Sequence, residues 1–330
     1  LIKKGTMWSF RRDARNYLKV LAKSIGEIER KYFIQVDLVF FCMIDFLMGR
    51  TLSSWDIEKF FPYSFSGLYF HPIHRRVPVK FSKFRFGPFK IDAPLYSKNC
   101  KAFMLLDKAV ARKYVYQGSK ALVMPDFSRN NEVTDNQNIS KKMKVLAGNR
   151  RIVCLVGSLQ KRKGILSLLR VARQLSSKDF YFVIVGDFVE DSYTKEEIKE
   201  IREWIQLKHI YAQLGYLKTE EELNEYIQNS DLIYAVYEKF FHSSNMLIKA
   251  SVFRVPLIVS DGYFMSEQVR CYSLGMIVPE SDEGAIKRVL LDQRTWKLKD
   301  EEVFQEGCKR YSKDNSQKRI KEIFQKMLES

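Results

Sequence analysis

The chain is poor in the residues that staple or metallate a small protein. Among 330 residues there are 5 cysteines and 4 histidines. The cysteines (Cys42, Cys100, Cys154, Cys271 and Cys308) are scattered and odd in number. No disulfide framework or zinc spacing can be drawn through them, which favours a reducing compartment. No two histidines have zinc-ligand spacing. Long apolar runs are also missing. The longest, Leu38 to Ile44, is far too short to span a bilayer, and no signal peptide is visible. There is no short internal repeat, no low-complexity tract and no Gly-x-Ser-x-Gly nucleophile elbow.

Acidic residues are scarce in one half only. Residues 1–150 hold 28 basic and 12 acidic side chains, an excess of +16, whereas residues 151–330 hold 28 and 27, an excess of +1. The formal charge of +17 therefore belongs almost wholly to the first half. A hydrophobic content of 46% with 14% aromatics is ample for packed cores and excludes a disordered basic tail. Length and uneven charge together predict two domains with different partners.

The second half is the more regular. Apolar runs at Ile152–Val156, Tyr181–Val185, Leu232–Tyr237, Pro256–Ser260 and Met276–Val278 alternate with helical patterns. One helix carries Ile165, Leu168, Leu169, Ala172 and Leu175 at helical spacing, and another spans about Lys195 to Leu207. Thr219 with Glu222 three residues later predicts a capping box for a helix to Gln228. Continuous apolar strands between helices mean a buried parallel sheet in a doubly wound domain. The first half reads similarly: a helix over Asp13–Lys31, strands at Val36–Met43, Gly67–His71, Ala102–Leu106 and Ala121–Met124, and a helix Lys108–Tyr116 capped by Asp107. It opens with a helix where a doubly wound domain would open with a strand, and with Leu1 rather than Met, which predicts missing N-terminal elements. The polar stretch Asn130–Lys144 reads as a linker, giving an N-terminal domain over 1–147, a C-terminal domain over 148–311 and a terminal helix within 312–330 that returns to the first domain.

Two βα turns carry anion-friendly chemistry. Gly157-Ser158-Leu159-Gln160-Lys161-Arg162-Lys163-Gly164 joins a strand to a helix. A glycine turn opening a helix offers backbone N–H groups and the positive helix end to a phosphate, and three cations add charge. It is neither G-x-G-x-x-G nor a P-loop, so a plain basic surface loop is the competing reading. Phe241-His242-Ser243-Ser244-Asn245 also precedes a helix, with an ordinary N-cap as the alternative. Both fall at the carboxyl edge of the sheet, where open α/β sheets bind ligands.

The ordered series Gly157…Lys163-Gly164, Gly186-Asp187, Leu214-Gly215-Tyr216, Ser230-Asp231-Leu232, Lys249-Ala250…Pro256–Ser260 and Gly275–Pro279 resembles the C-terminal domain of retaining GT-B glycosyltransferases of glycosyltransferase family 4. The resemblance covers residues 150–290 well and residues 32–130 more loosely. It implies an α/β GT-B fold, two Rossmann-like doubly wound domains facing a cleft, the N-terminal one incomplete. It further implies that the C-terminal domain holds a nucleotide-sugar donor and that the sugar is transferred with retention, without metal or cofactor. By the same resemblance Lys163 neutralises the donor diphosphate and Gly157 is the turn glycine beside it. Leu214, Gly215 and Tyr216 lie near the nucleobase, and His242, Ser243, Ser244 and Asn245 form the helix start that meets the phosphates. His71 resembles the N-domain histidine that faces the reacting sugar; a satisfied polar residue before a proline is its plain alternative.

The chain departs from the family pattern at three positions. Ser158 stands where the family has an arginine, with Arg162 a candidate substitute. The two family glutamates, one for the donor sugar and one for the ribose, fall on Phe241 and Lys249, with Glu238 three positions before the first. The phosphate half of the donor site is matched and the sugar and ribose half is altered.

The basic half contains Lys80–Lys90, which interleaves cations with phenylalanines. Contact with an anionic membrane, stacking on single-stranded nucleic acid and packing as a hairpin all fit it. The helix Asp13–Lys31 has a narrow apolar face that suits either a core or a membrane interface. The resulting expectation is a glycosyltransferase, cytoplasmic or peripheral on the inner membrane face, acting on a glycan or lipid-linked acceptor. The alternative is a non-catalytic GT-B module that binds nucleotide, glycan or a partner subunit. No specific nucleic acid partner is expected, since no signature of such a fold accompanies the charge.

Overall fold

A computed structural model of the protein describes residues 7–48, 52–76, 91–126 and 137–329. The chain divides into two compact units, Leu1–Pro125 with Lys318–Ser330, and Asp126–Gln317. The interleaved segment Lys80–Lys90 lies outside the described residues.

The first unit is built on a parallel sheet of β1 (Val39–Phe41), β2 (Phe65–Leu68), β3 (Cys100–Leu105) and β4 (Ala121–Val123), in that spatial order. Alternation along β3 divides its side chains between two faces. Phe103 and Leu105 join Phe41, Phe61, Phe65 and the buried stripe Ala14, Leu18 and Ile25 of the helix Met7–Tyr32. Ala102 and Met104 meet Ile323 and Met327 of the last helix, Gln317–Glu329, and Phe324 packs on Phe40 at 5.0 Å. The apolar stripe of the first helix is thus core rather than a free amphipathic face. Two of its cations are also turned inward: Arg11 and Arg15 reach the fully buried Asp56 at 2.8 and 2.5 Å. Burial would raise that carboxyl, but bonds from Ser53, Arg11 and Arg15 outweigh it and hold it below its ordinary range.

The second unit has six parallel strands: β5 (Arg151–Val156), β6 (Phe180–Gly186), β7 (Ile210–Leu214), β8 (Leu232–Ala235), β9 (Leu257–Ser260) and β10 (Gly275–Val278). Their order is β10-β9-β8-β5-β6-β7, so the winding reverses between β5 and β8. Each central strand is buried on both faces. In β6, Tyr181, Val183 and Val185 enter one core and Phe180, Phe182 and Ile184 the other. This explains why the sequence shows continuous apolar runs instead of alternation.

Two expectations change. Residues 137–147 form a helix, Gln137–Ala147, not a linker. Ile139, Met143 and Ala147 recur at every fourth position and pack on the core of the second unit, so the boundary falls at Pro125/Asp126 rather than near Gly148. The box at Thr219 is only half formed. The Glu222 N–H donates to Thr219 Oγ1 at 3.2 Å, but Glu222 Oε2 accepts from the N–H of Lys218.

Candidate active site

Strand β5 runs out at Val156, and Gly157 turns the chain with φ 109°. The neighbouring Gly186, at the end of β6, has φ 136°, and a β-carbon placed on it would lie 1.9 Å from the Gly157 carbonyl oxygen. The two strand ends approach this closely because Gly186 lacks a side chain. Beyond the turn, Lys161–Lys163 form a single 3-10 turn, with the Lys163 N–H donating to Gln160 O at 2.8 Å. Gly164, at φ 74°, then opens the helix Ile165–Ala172.

These strand ends border a cavity of about 600 Å³. From the β5 turn it is lined by Gly157, Ser158, Arg162 and Lys163. Gly186 and Asp187 contribute from β6, Tyr216–Glu220 from beyond β7, and Phe240, Ser243, Ser244, Asn245, Met246 and Lys249 from beyond β8. Lys163 is only 9% exposed, and its ammonium sits 3.9 Å from the centre of the Tyr237 ring. The Arg162 guanidinium stacks 4.7 Å over Phe240 and donates through Nε to Gln160 at 2.8 Å. Its NH1 is buried and has no hydrogen-bond partner among the described residues. Two confined cations, one with an unused donor, suit an anion carrying several oxygens.

The second turn is less simple than a row of N–H groups around an open crevice. Ser243 Oγ donates to the Asp126 carboxylate, and the Asp126 backbone N–H donates to Asn315 Oδ1 at 2.8 Å. Burial raises the Asp126 carboxyl above its ordinary range, with the Ser243 hydroxyl acting against this. Ser244 Oγ and O receive the N–H groups of Met246 and Leu247 at the start of the helix Met246–Phe253.

Several expected residues are not at the cavity wall. His242 meets the rings of Phe240 and Phe241, and Phe241 packs edge-on against Tyr263 at 4.6 Å. Leu214 packs into the core as the last residue of β7, and the Gly215 N–H donates to Gly186 O at 2.9 Å. Both position Tyr216, which is 79% exposed and does line the cavity. Lys249 borders it from beneath. It is 1% exposed, and its Nζ donates to Glu220 Oε1 and Asn224 Oδ1, each at 2.7 Å. That pairing was illegible in the sequence, because its members come from two different helices.

In the first unit β2 ends at Leu68, so His71 lies three residues beyond it rather than at the end of a strand Gly67–His71. Asp45 holds it: one carboxylate oxygen accepts the His71 N–H at 2.7 Å and faces His71 Nδ1 at 2.9 Å, while the other takes the Phe70 N–H. His71 is half exposed, and with Asp45, Met48, Tyr69, Ile73, His74 and Ile91 it lines a cavity of about 350 Å³. A carboxylate at Nδ1 places that proton there and leaves Nε2 as the basic nitrogen. His74 is held by Asp92, and His209 is buried against Ala172 O, both in packing roles.

Two parallel-sheet units, the second wound in Rossmann order with a cationic cavity at its strand ends, define the GT-B fold. The chain belongs to the family of glycosyl transferases group 1, whose model matches residues 136–315. Its fold is similar to a glycosyltransferase from Rickettsia africae ESF-5 (TM-score 0.66, 18% identity, covering 94% of this chain and 81% of that one). HepE of Anabaena in complex with UDP matches with TM-score 0.69 at 15% identity over 94% and 82% of the two chains. Sucrose-phosphate synthase from Thermosynechococcus elongatus matches with TM-score 0.65 at 16% identity over 97% and 79%. A sequence search of curated proteins found no match.

Proposed function

We propose that the protein transfers a sugar from a nucleotide-sugar donor to a glycan or lipid-linked acceptor, with retention at the anomeric carbon and without metal or cofactor. The observation that carries this reading is the pair of confined cations, Lys163 and Arg162, on the β5 turn of a cavity large enough for a nucleotide-sugar. Their positive charge opposes the charge that grows on the leaving diphosphate as the glycosidic bond breaks. Such preorganised electrostatics is commonly the largest catalytic contribution. HepE of Anabaena, which shares the fold, has been solved with UDP and with UDP-glucose, which supports the donor class. His71, with Nε2 as its basic nitrogen, is assigned a hydrogen bond to the transferring sugar. The excess positive charge of residues 1–150 favours an anionic acceptor and a place at the cytoplasmic leaflet. Among the described residues no helix is long and apolar enough to cross a membrane.

The test is consumption of UDP-, GDP- and ADP-sugars by the full chain, with the anomeric configuration of the product read by NMR. Lys163→Ala is expected to lower turnover by about 10²–10³-fold, the range seen when one such electrostatic donor is removed. Nucleotide binding without turnover by the unmodified chain would instead identify a binding module.

A further inference from the structure

The three cations of the β5 turn do not share one fate. Lys161 pairs with Glu197 at 2.5 Å, so its charge is balanced locally. Lys163 and Arg162 meet no carboxylate among the described residues; each lies over an aromatic ring instead. The Lys163 ammonium faces Tyr237 and the Arg162 guanidinium faces Phe240. These two rings pack edge to face, with centres 5.3 Å apart and planes at 82°. Both belong to the segment that follows β8, and backbone contacts press this segment against the turn. The Glu238 N–H donates to Arg162 O at 2.7 Å, and a β-carbon on Gly164 would lie 2.6 Å from Val236 O. The backbone itself therefore sets each ring against its cation.

A lysine as buried as Lys163 has lost most of its water and needs a compensating partner. A carboxylate would supply one, but its negative charge would cancel the field that an anion in the cavity is to feel. An aromatic face attracts a cation through its quadrupole and carries no net charge. The positive charge held in this way stays available to a ligand. The Tyr237 hydroxyl is buried and has no hydrogen-bond partner among the described residues, so the ring is the part of this side chain in use. We propose that Tyr237 and Phe240 are positioning residues that hold Lys163 and Arg162 at the cavity wall as unneutralised cations, preset for the diphosphate of the donor. Tyr237, 1% exposed, acts through Lys163. A turn preset in this way needs no rearrangement as the leaving group gathers charge, which is the condition for electrostatic catalysis. This inference rests on the nucleotide-sugar reading.

The test changes the electrons of the ring at nearly constant shape. Tyr237→Phe and its 4-fluoro, 3,5-difluoro and 3,4,5-trifluoro counterparts are made in the full chain, and affinity for UDP, GDP and ADP is measured by calorimetry. Tyr237→Phe should bind like the wild type, because the ring is kept and only an unpaired hydroxyl is lost. Successive fluorination drains the ring face and lets Lys163 leave the wall. Affinity then falls with the fraction of competent protein, in graded steps that reach roughly tenfold in the trifluoro variant. In a Lys163→Ala background the same series should leave the remaining affinity unchanged, and every variant should keep the cooperative melt of Tyr237→Phe. The same series at Phe240, with Arg162→Ala as its background, tests the second pair. A role in packing alone predicts affinity independent of fluorination in both backgrounds. That result, or a gradient that survives removal of the cation, overturns the inference while leaving the nucleotide reading intact. Failure of the wild type to bind any of the three diphosphates overturns the nucleotide reading and this inference with it.

Discussion

Gly186→Ala is the most direct probe of how the fold builds the phosphate turn. At φ 136° the backbone occupies a region essentially reserved for glycine, and a β-carbon there would lie 1.9 Å from Gly157 O, 2.7 Å from Gly157 C and 3.0 Å from Gly157 N. To reach ordinary contact near 3.4 Å the turn must retreat by roughly 1.5 Å. That retreat pulls on two bonds that shape the turn, Gly157 N to Val185 O at 3.0 Å and Leu159 N to Asp187 O at 2.7 Å. Backbone strain contributes about 1–3 kcal/mol and overpacking a similar amount, so the second unit should lose about 2–6 kcal/mol. The cavity should lose nucleotide affinity in parallel, because Ser158, Arg162 and Lys163 follow the displaced residue. Gly215→Ala is the control: it has no positive φ and nothing within 4 Å of the added carbon, so a change within about 0.5 kcal/mol is expected. Thermal unfolding followed by circular dichroism, together with nucleotide titration, reads both effects. A Gly186→Ala protein that melts and binds like the wild type would refute the steric argument.

Two further predictions concern the first unit. Burial alone would raise the Asp92 carboxyl, but bonds from His74, Tyr114 and Arg75 outweigh it and hold it well below the ordinary range. A depressed folded value contributes stability that is fully present above the unfolded value, about 3.9, and is lost as pH falls through the folded one. Asp92→Asn should therefore cost about 3–5 kcal/mol at neutral pH and progressively less below about pH 4, measured by denaturant unfolding at several pH values. Asp45→Ala removes the acceptor that orients His71, and turnover should fall by at least roughly tenfold with nucleotide affinity unchanged; equal turnover would show that the orientation of His71 is irrelevant.

Much of the second unit was legible because its signals are local. The five-residue apolar runs Ile152–Val156 and Tyr181–Val185, each followed by a glycine, locate β5 and β6 within a residue or two. Asp107 is the cap it was read to be, with its Oδ1 accepting the Val110 N–H at 3.0 Å. The cavity-lining part of the Gly157 turn was also readable, since three consecutive cations between two glycines have few other places to go than a strand end. The helix Gln137–Ala147 was not, because six polar residues outweigh five apolar ones in composition, and three of those apolar residues pack on the core. Only their four-residue spacing, Ile139, Met143 and Ala147, carried the helical signal. Asp45 and Glu220 gave no signal at all. Each meets its partner on another element, His71 across 26 positions and Lys249 across 29.

The sequence by itself determined which segments are strands, that both sheets are parallel, and that a basic glycine turn stands at a strand end. Those properties follow from hydrophobic period and from what glycine alone permits. Tertiary structure decided which charges are spent. It turned Arg11 and Arg15 inward onto Asp56, buried Lys249 beneath the cavity, and left Glu220 at its wall. An ion's role depends on burial and on the partner it meets, and neither is encoded in the spacing of residues along the chain.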